Sequence, residues 1–178
     1  MLVSGSELAE LANQGLVKPD PRVVEQVAIP LHLDDQFLRY VLPNEPVVPP
    51  TTVPTRPVPL DAEGRVILPP GESVLACTYE IVNIPPHVMG FIQTKGSVAR
   101  SFLAQLTDGQ VDPGYRGKIT LELVNLGPLT LALRPMMPIA NLYIWSLSTP
   151  VEGYSGRYQD SYSPSSMVES PSPDKWLR

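Results

Sequence analysis

From residue 65 to residue 148 the chain reads as short β-type runs separated by turns. They read RVILPPGESVLACTYEIVNIP, VMGFIQTKG, GKITLELVNLG, LTLALRP and IANLYIWSLS. Turn signals recur about every 8–12 residues, as they do in β-sandwiches and barrels. Upstream, VAIPLHLDDQFLRYVL at residues 27 to 42 also reads as strand, with Pro30 placing it at a sheet edge or a bulge. Residues 43 to 59 hold seven prolines, a composition that excludes helix and favours an extended, polyproline-like arm. The expected class is therefore mainly β. One short helix is expected at the start, where Ser4 and Glu7 have capping-box spacing, Leu8, Leu11 and Ala12 share a face, and Gly15 is a stop.

The 178 residues suggest a single domain over 1–178 with a real core. A net charge of −5 argues against a nucleic-acid surface. No run approaches the roughly 20 apolar residues that span a bilayer. The opening MLVSGSELAE lacks a basic segment followed by an apolar one, so a cytoplasmic setting and no membrane partner are expected. Cys77, the single cysteine, lies in an apolar run and reads as a buried small hydrophobe. With one cysteine and two histidines, His32 and His87, neither a cysteine-based zinc site nor a Ser-His-Asp triad is readily assembled, and no protein metal ligands are expected.

Three segments carry side chains that could do chemistry. In QTKGSVARSF, Lys95, Gly96, Ser97 and Arg100 follow a β-run. A close backbone approach at Gly96 and two cations suit a phosphate, although spacing alone favours a solvated turn. In GQVDPGYRGKITLELVN a turn at Asp112-Pro113-Gly114 leads into an alternating strand. There Lys118, Thr120, Glu122 and Val124 share one face, and Ile119, Leu121 and Leu123 form the core face. Alternation alone makes Glu122 a solvent-facing residue and Asp112 a turn former. In EGYSGRYQDSYSP, Tyr154, Arg157, Tyr158 and Gln159 sit in a Gly-containing segment. That segment is either a polar tail or a lid over a nucleotide.

In this order the segments resemble the dCTP deaminase branch of the dUTPase-like superfamily. The likeness runs over the helix SGSELAELANQGLV, the run VLPPGESVLACTYEIVNIPPHVMGFIQTKGSVAR, the core VDPGYRGKITLELVN, the element LALRPMMPIANL and the tail YSGRYQ. It implies a dUTPase-like distorted jelly-roll or β-barrel, assembled as a homotrimer with active sites between subunits. Glu122 in TLEL belongs to the deaminases and to the bifunctional enzymes that release dUMP, and not to plain dUTPases. By the same resemblance Glu122 is the acid/base and Arg100 orients and polarises around it. Lys95, Gly96 and Ser97 face the phosphates and the catalytic water. Asp112 contacts the sugar 3'-hydroxyl with Tyr115 beneath the deoxyribose, and Thr120 and Leu121 add nucleotide contacts. Residues 152–178 form a lid and a flexible tail, in which Tyr154, Arg157 and Ser161 close over a triphosphate. Mg²⁺ is held mainly through the phosphates.

Several positions depart from the family pattern. R-S-S-L-A-R becomes K-G-S-V-A-R, so Gly96 replaces a serine that helps hold the water. Asp108 stands where a small alanine is usual, Met136 replaces a turn glycine, and Asn141 replaces a glutamine. S-V-D-L-R-L becomes AIPLHL near residue 31. K-Y-Q-G-Q becomes Arg157-Tyr158-Gln159-Asp160-Ser161, which adds a negative charge to a phosphate-binding lid. The leading expectation is deamination of dCTP to dUTP and ammonia. A dUTP diphosphatase, or a bifunctional enzyme that uses Asp112 and Asp108 to release dUMP, is the second. A trimeric nucleotide-binding protein without turnover is the third. dCTP, dUTP and dTTP are the ligands such sites would take.

Overall fold

The computed structural model describes residues 1–19, 24–107 and 109–168. Helix α1 spans Gly5–Leu11 and continues as a π-turn over Ala12–Leu16, ending where Gly15 takes φ +90°. Leu8 and Ala12 are buried, as the apolar face requires. Ser4 is the N-cap residue, but its side chain makes no cap hydrogen bond. The capping box expected from its spacing with Glu7 does not form.

The strands group into two main sheets. One holds five strands in the order β4 (Thr55–Pro57), β3 (Leu38–Tyr40), β6 (Ser73–Cys77), β12 (Thr120–Asn125) and β9 (Leu103–Gln105). The other runs β10 (Gly109–Val111), β8 (Val88–Thr94), β14 (Pro138–Ser146) and β2 (Ile29–His32). Smaller sheets join β1 (Val17–Lys18), β7 (Ile81–Asn83) and β11 (Arg116–Gly117), and β5 (Val66–Leu68) with β13 (Leu131–Leu133). A single turn of helix, α2 (Gly96–Ala99), follows β8. The chain is thus mainly β, as its turn spacing predicts.

Proline chemistry decides the edges. Pro30 lies on β2, an edge strand, where a missing N–H costs no ladder bond. The end of the proline-rich arm is strand as well: Thr55–Pro57 pairs with Leu38–Tyr40 as the outermost strand of its sheet. One continuous core draws Leu121 and Leu123 from β12 and Ile92, Leu142 and Ile144 from β8 and β14. Burying these side chains contributes roughly 1.5–3 kcal/mol each. It also fixes which way the strand between them faces. With Leu121 and Leu123 inward, Thr120 and Glu122 must point to the other side.

Candidate active site

β12 alternates half-buried and buried residues along its whole length. Its outward face is not open to solvent, because the chain returns over it. The turn after β10 begins this cover. Gly114 has φ +80°, and a Cβ there would lie 2.6 Å from the Cα of Gly153. A glycine is needed both for the turn and for that approach. The amide of Tyr154 donates to the carbonyl of Pro113 at 2.7 Å, and the side chain of Gln159 donates to the carbonyl of Gly114 at 2.9 Å. The returning segment then runs beside β11. Gly117 and Ser161 form a parallel bridge, and the amide of Lys118 donates to the carbonyl of Ser161 at 2.7 Å. Beyond it, the amide of Ser165 donates to the Thr120 hydroxyl at 3.1 Å, and the amide of Met167 donates to the Tyr40 hydroxyl at 3.1 Å.

The result is a cavity of about 330 Å³. Glu122, Thr120, Asp112 and Tyr115 line it, and Tyr154 and Ser161 border it from the returning segment. Six of the residues that the resemblance assigns to the site therefore meet in one place, and Tyr158 borders it too. Tyr115 and Tyr154 pack edge to face, with ring centroids 5.8 Å apart. The Tyr115 hydroxyl donates to the carbonyl of Lys118 at 2.7 Å, and burial pushes its pKa up from the ordinary tyrosine value. Asp112 accepts from the side chain of Gln110 at 3.0 Å. The carboxyl of Glu122 is hydrogen-bonded by the hydroxyl of Thr107.

The other residues that the resemblance assigns to the site lie elsewhere. Leu121 is fully buried on the core face and lines no part of the cavity. Lys95, Gly96, Ser97 and Arg100 line no part of this cavity within one chain. Lys95 is paired with Glu25 at 3.0 Å and donates to Asn141 at 3.4 Å. Ser97 borders a separate depression with Leu131 and Met137. Arg100 is exposed at the end of α2. Arg157 is also outside the cavity; its guanidinium lies 5.9 Å from the ring of Tyr158 and donates to the carbonyl of Val168. Asp160 lines no part of the cavity either. It has φ +58° and is paired with Arg116, whose guanidinium holds its carboxyl below the ordinary carboxylate range. Asp108 and the tail over 169–178 fall outside the described residues.

Three contributors have no local signature in the sequence: Thr107, Tyr40 and Ser165. Thr107 reaches Glu122 because β9 pairs with β12 in the register Gln105 opposite Leu123. That register becomes visible only once the strands are paired. Among the described residues no three His, Cys, Asp or Glu side chains group as a metal cage. No helix among them is long and apolar enough to cross a membrane.

The chain is similar to known proteins. A family model described as dCTP deaminase-like matches residues 2–147. The chain is 35% identical over 177 residues to a "dCTP deaminase, dUMP-forming" of Thermobifida fusca, covering 92% of this chain and 90% of that protein. It is also 35% identical over 182 residues to a "dCTP deaminase" of Halorubrum lacusprofundi, covering 92% and 89%. Among solved structures, the 2'-deoxycytidine 5'-triphosphate deaminase of Agrobacterium tumefaciens superposes with a TM-score of 0.61 over 80% of this chain at 15% identity. The chain spans about half (47%) of that longer chain, and the likeness is one of fold.

Proposed function

Because the chain belongs to the dCTP deaminase-like family, we propose that it hydrolyses the 4-amino group of a cytosine deoxynucleotide, with dCTP as substrate. One observation carries the reading: Glu122 shares a cavity with the Asp112–Tyr115 turn. In the proposed site a deoxyribose rests on Tyr115 with its 3'-hydroxyl on Asp112, and the base reaches Glu122. The Glu122 carboxylate takes a proton from water as the water oxygen bonds to C4, and passes that proton to N3. It then takes the proton of the new C4 hydroxyl and gives it to the departing amino group. The C4–N bond breaks, ammonia leaves, and a C4 carbonyl remains. Zinc-dependent deaminases reach the same product with a metal-bound hydroxide.

The phosphate end of the site is assigned to a neighbouring subunit of a homotrimer. Arg100 is exposed and makes no ion pair among the described residues, and Gly96 and Ser97 are exposed beside it. These groups would complete the Glu122 cavity across an interface, with Arg100 orienting the base and Ser97 the phosphates. Within one chain Lys95 is already committed to Glu25, so its contact with phosphate requires an exchange of partners. The segment over 154–167 acts as the lid. Mg²⁺ would be carried by the triphosphate, where it neutralises charge; among the described residues the cavity offers two carboxylates, Glu122 and Asp112, which suits an ion held mainly by phosphate oxygens. A cytoplasmic location follows from such a substrate.

The names of several relatives, dUMP-forming deaminases at 33–35% identity, favour a second step in the same site. Asp112 would place water for attack near the α-phosphate, releasing pyrophosphate and dUMP. Purified protein with dCTP and Mg²⁺ decides the matter. Ammonia with dUTP marks simple deamination, ammonia with dUMP and pyrophosphate marks the coupled reaction, and nucleotide binding without product overturns both. Glu122→Gln is expected to lower deamination by about 10³-fold or more while retaining the fold. Full activity in that variant removes Glu122 from the mechanism.

A further inference from the structure

Thr107 holds a position that the proposed chemistry does not yet use. Its Oγ1 accepts from the backbone N–H of Glu122 at 3.2 Å and lies 3.0 Å from the carbonyl of Thr120. The same hydroxyl meets Oε2 of the Glu122 side chain. Among the described residues it is the one group that hydrogen-bonds this carboxyl. The cavity side otherwise presents Asp112 and the tyrosines Tyr40, Tyr115, Tyr154 and Tyr158. The sheet side presents Arg39, Arg56 and Glu72. None of these eight reaches the carboxyl with a hydrogen bond.

A threonine hydroxyl has one proton to give. Here it faces two acceptors, a main-chain carbonyl and a carboxyl. An ionised carboxylate is the stronger acceptor and takes the proton. A neutral carboxyl is a poorer acceptor, and the carbonyl of Thr120 then competes for the same hydroxyl. Thr107 therefore grips Glu122 more firmly as a base than as an acid, and it does so through Oε2. Among the described residues Oε1 has no hydrogen-bond partner.

Resting on the reading of Glu122 as the proton carrier, we propose that Thr107 is its positioning residue: it holds the ionised carboxyl with Oε1 aimed into the cavity and lets go toward the Thr120 carbonyl once a proton has been taken. The hydroxyl touches no reacting atom. It acts through the orientation and basicity of Glu122, and its proton is never transferred.

Thr107→Val keeps the shape and removes the donor; Thr107→Ser keeps the donor. With dCTP and Mg²⁺, the valine variant is expected to lose roughly 10- to 100-fold in kcat, the usual scale for a hydrogen bond to a charged group. KM stays within about twofold, and the acid limb of the pH–rate profile moves to higher pH. Thr107→Ser restores most of the rate. A carbon-13 NMR titration of the Glu122 carboxyl gives a readout that needs no turnover, and its midpoint should rise in the valine variant alone. An unmoved midpoint, or a serine variant as impaired as the valine one, overturns the proposal. If Glu122→Gln is inactive while Thr107→Val behaves as wild type, Thr107 is dismissed and the acid/base reading stands. If Glu122→Gln is fully active, that reading falls first.

Discussion

Met136 takes φ +64° in the turn between β13 and β14, where its amide donates to the carbonyl of Leu33 at 2.8 Å. A side chain in the left-handed region costs roughly 1–2 kcal/mol, which glycine avoids. Because Met136 is about half exposed, removing its side chain sacrifices only part of a side chain's burial. Met136→Gly should therefore stabilise the protein by about 0.5–1 kcal/mol, after the extra entropy of an unfolded glycine is subtracted. A denaturant midpoint that fails to rise would show that the methionine makes contacts of its own. The resemblance, which sets a turn glycine at this position, implied a turn here. Cys77 is equally local. Burial and the neighbouring Asp34 push its thiol pKa up to about 12. At pH 8 only about one molecule in ten thousand carries the thiolate, which is the reactive form. A thiol reagent at that pH should leave the native protein unlabelled and modify Cys77 only on unfolding.

At the scale of elements, α2 and the returning segment make separate predictions. Gly96 opens α2 without a positive φ, and a Cβ built there meets nothing within 4 Å. Serine fits without strain and is the better residue near a helix start. If a hydroxyl at this place helps hold the attacking water, Gly96→Ser should raise kcat severalfold and leave stability within about 0.5 kcal/mol of wild type. Unchanged kcat would locate the water elsewhere. The returning segment is fastened by Arg116 and Asp160, an exposed pair. Arg116 depresses the pKa of Asp160. The fastening is therefore complete above the ordinary carboxylate value of about 3.9, and it fades only as the pH falls through the lower folded value. Across neutral pH it should be constant. Asp160→Ala should let protease cut the segment near 155–163 a few-fold faster, and added salt should narrow the difference. Strand alternation was enough to orient Glu122, and the Asp-Pro-Gly turn was enough to place Asp112. The role of Asp160 was not legible in the chain order, since its partner lies 44 positions away and the family model ends at residue 147, before the segment begins.

For the whole molecule, the β-rich class followed from short β-type runs and the recurring turn signals between them. The pairing itself could not be read. Nothing near Thr107 or Tyr40 in sequence reports that the five-stranded sheet sets both beside Glu122. Within one chain Lys95, Gly96, Ser97 and Arg100 line no part of the Glu122 cavity. If the active site is shared between subunits, each catalytic centre needs Glu122 from one chain and Arg100 from its neighbour. That requirement gives a test independent of any distance. Glu122→Gln and Arg100→Ala, each inactive alone, are denatured together in equal amounts and refolded into mixed assemblies. A centre is intact when the chain giving the carboxylate is the arginine variant and the chain giving the arginine is the glutamate variant. Random assembly meets each condition half the time, so activity should return to about one quarter of wild type in a closed cyclic assembly. A mixture as inactive as its parents would place Glu122 and Arg100 in the same chain's site, and the lid and α2 would then have to move toward each other to build it.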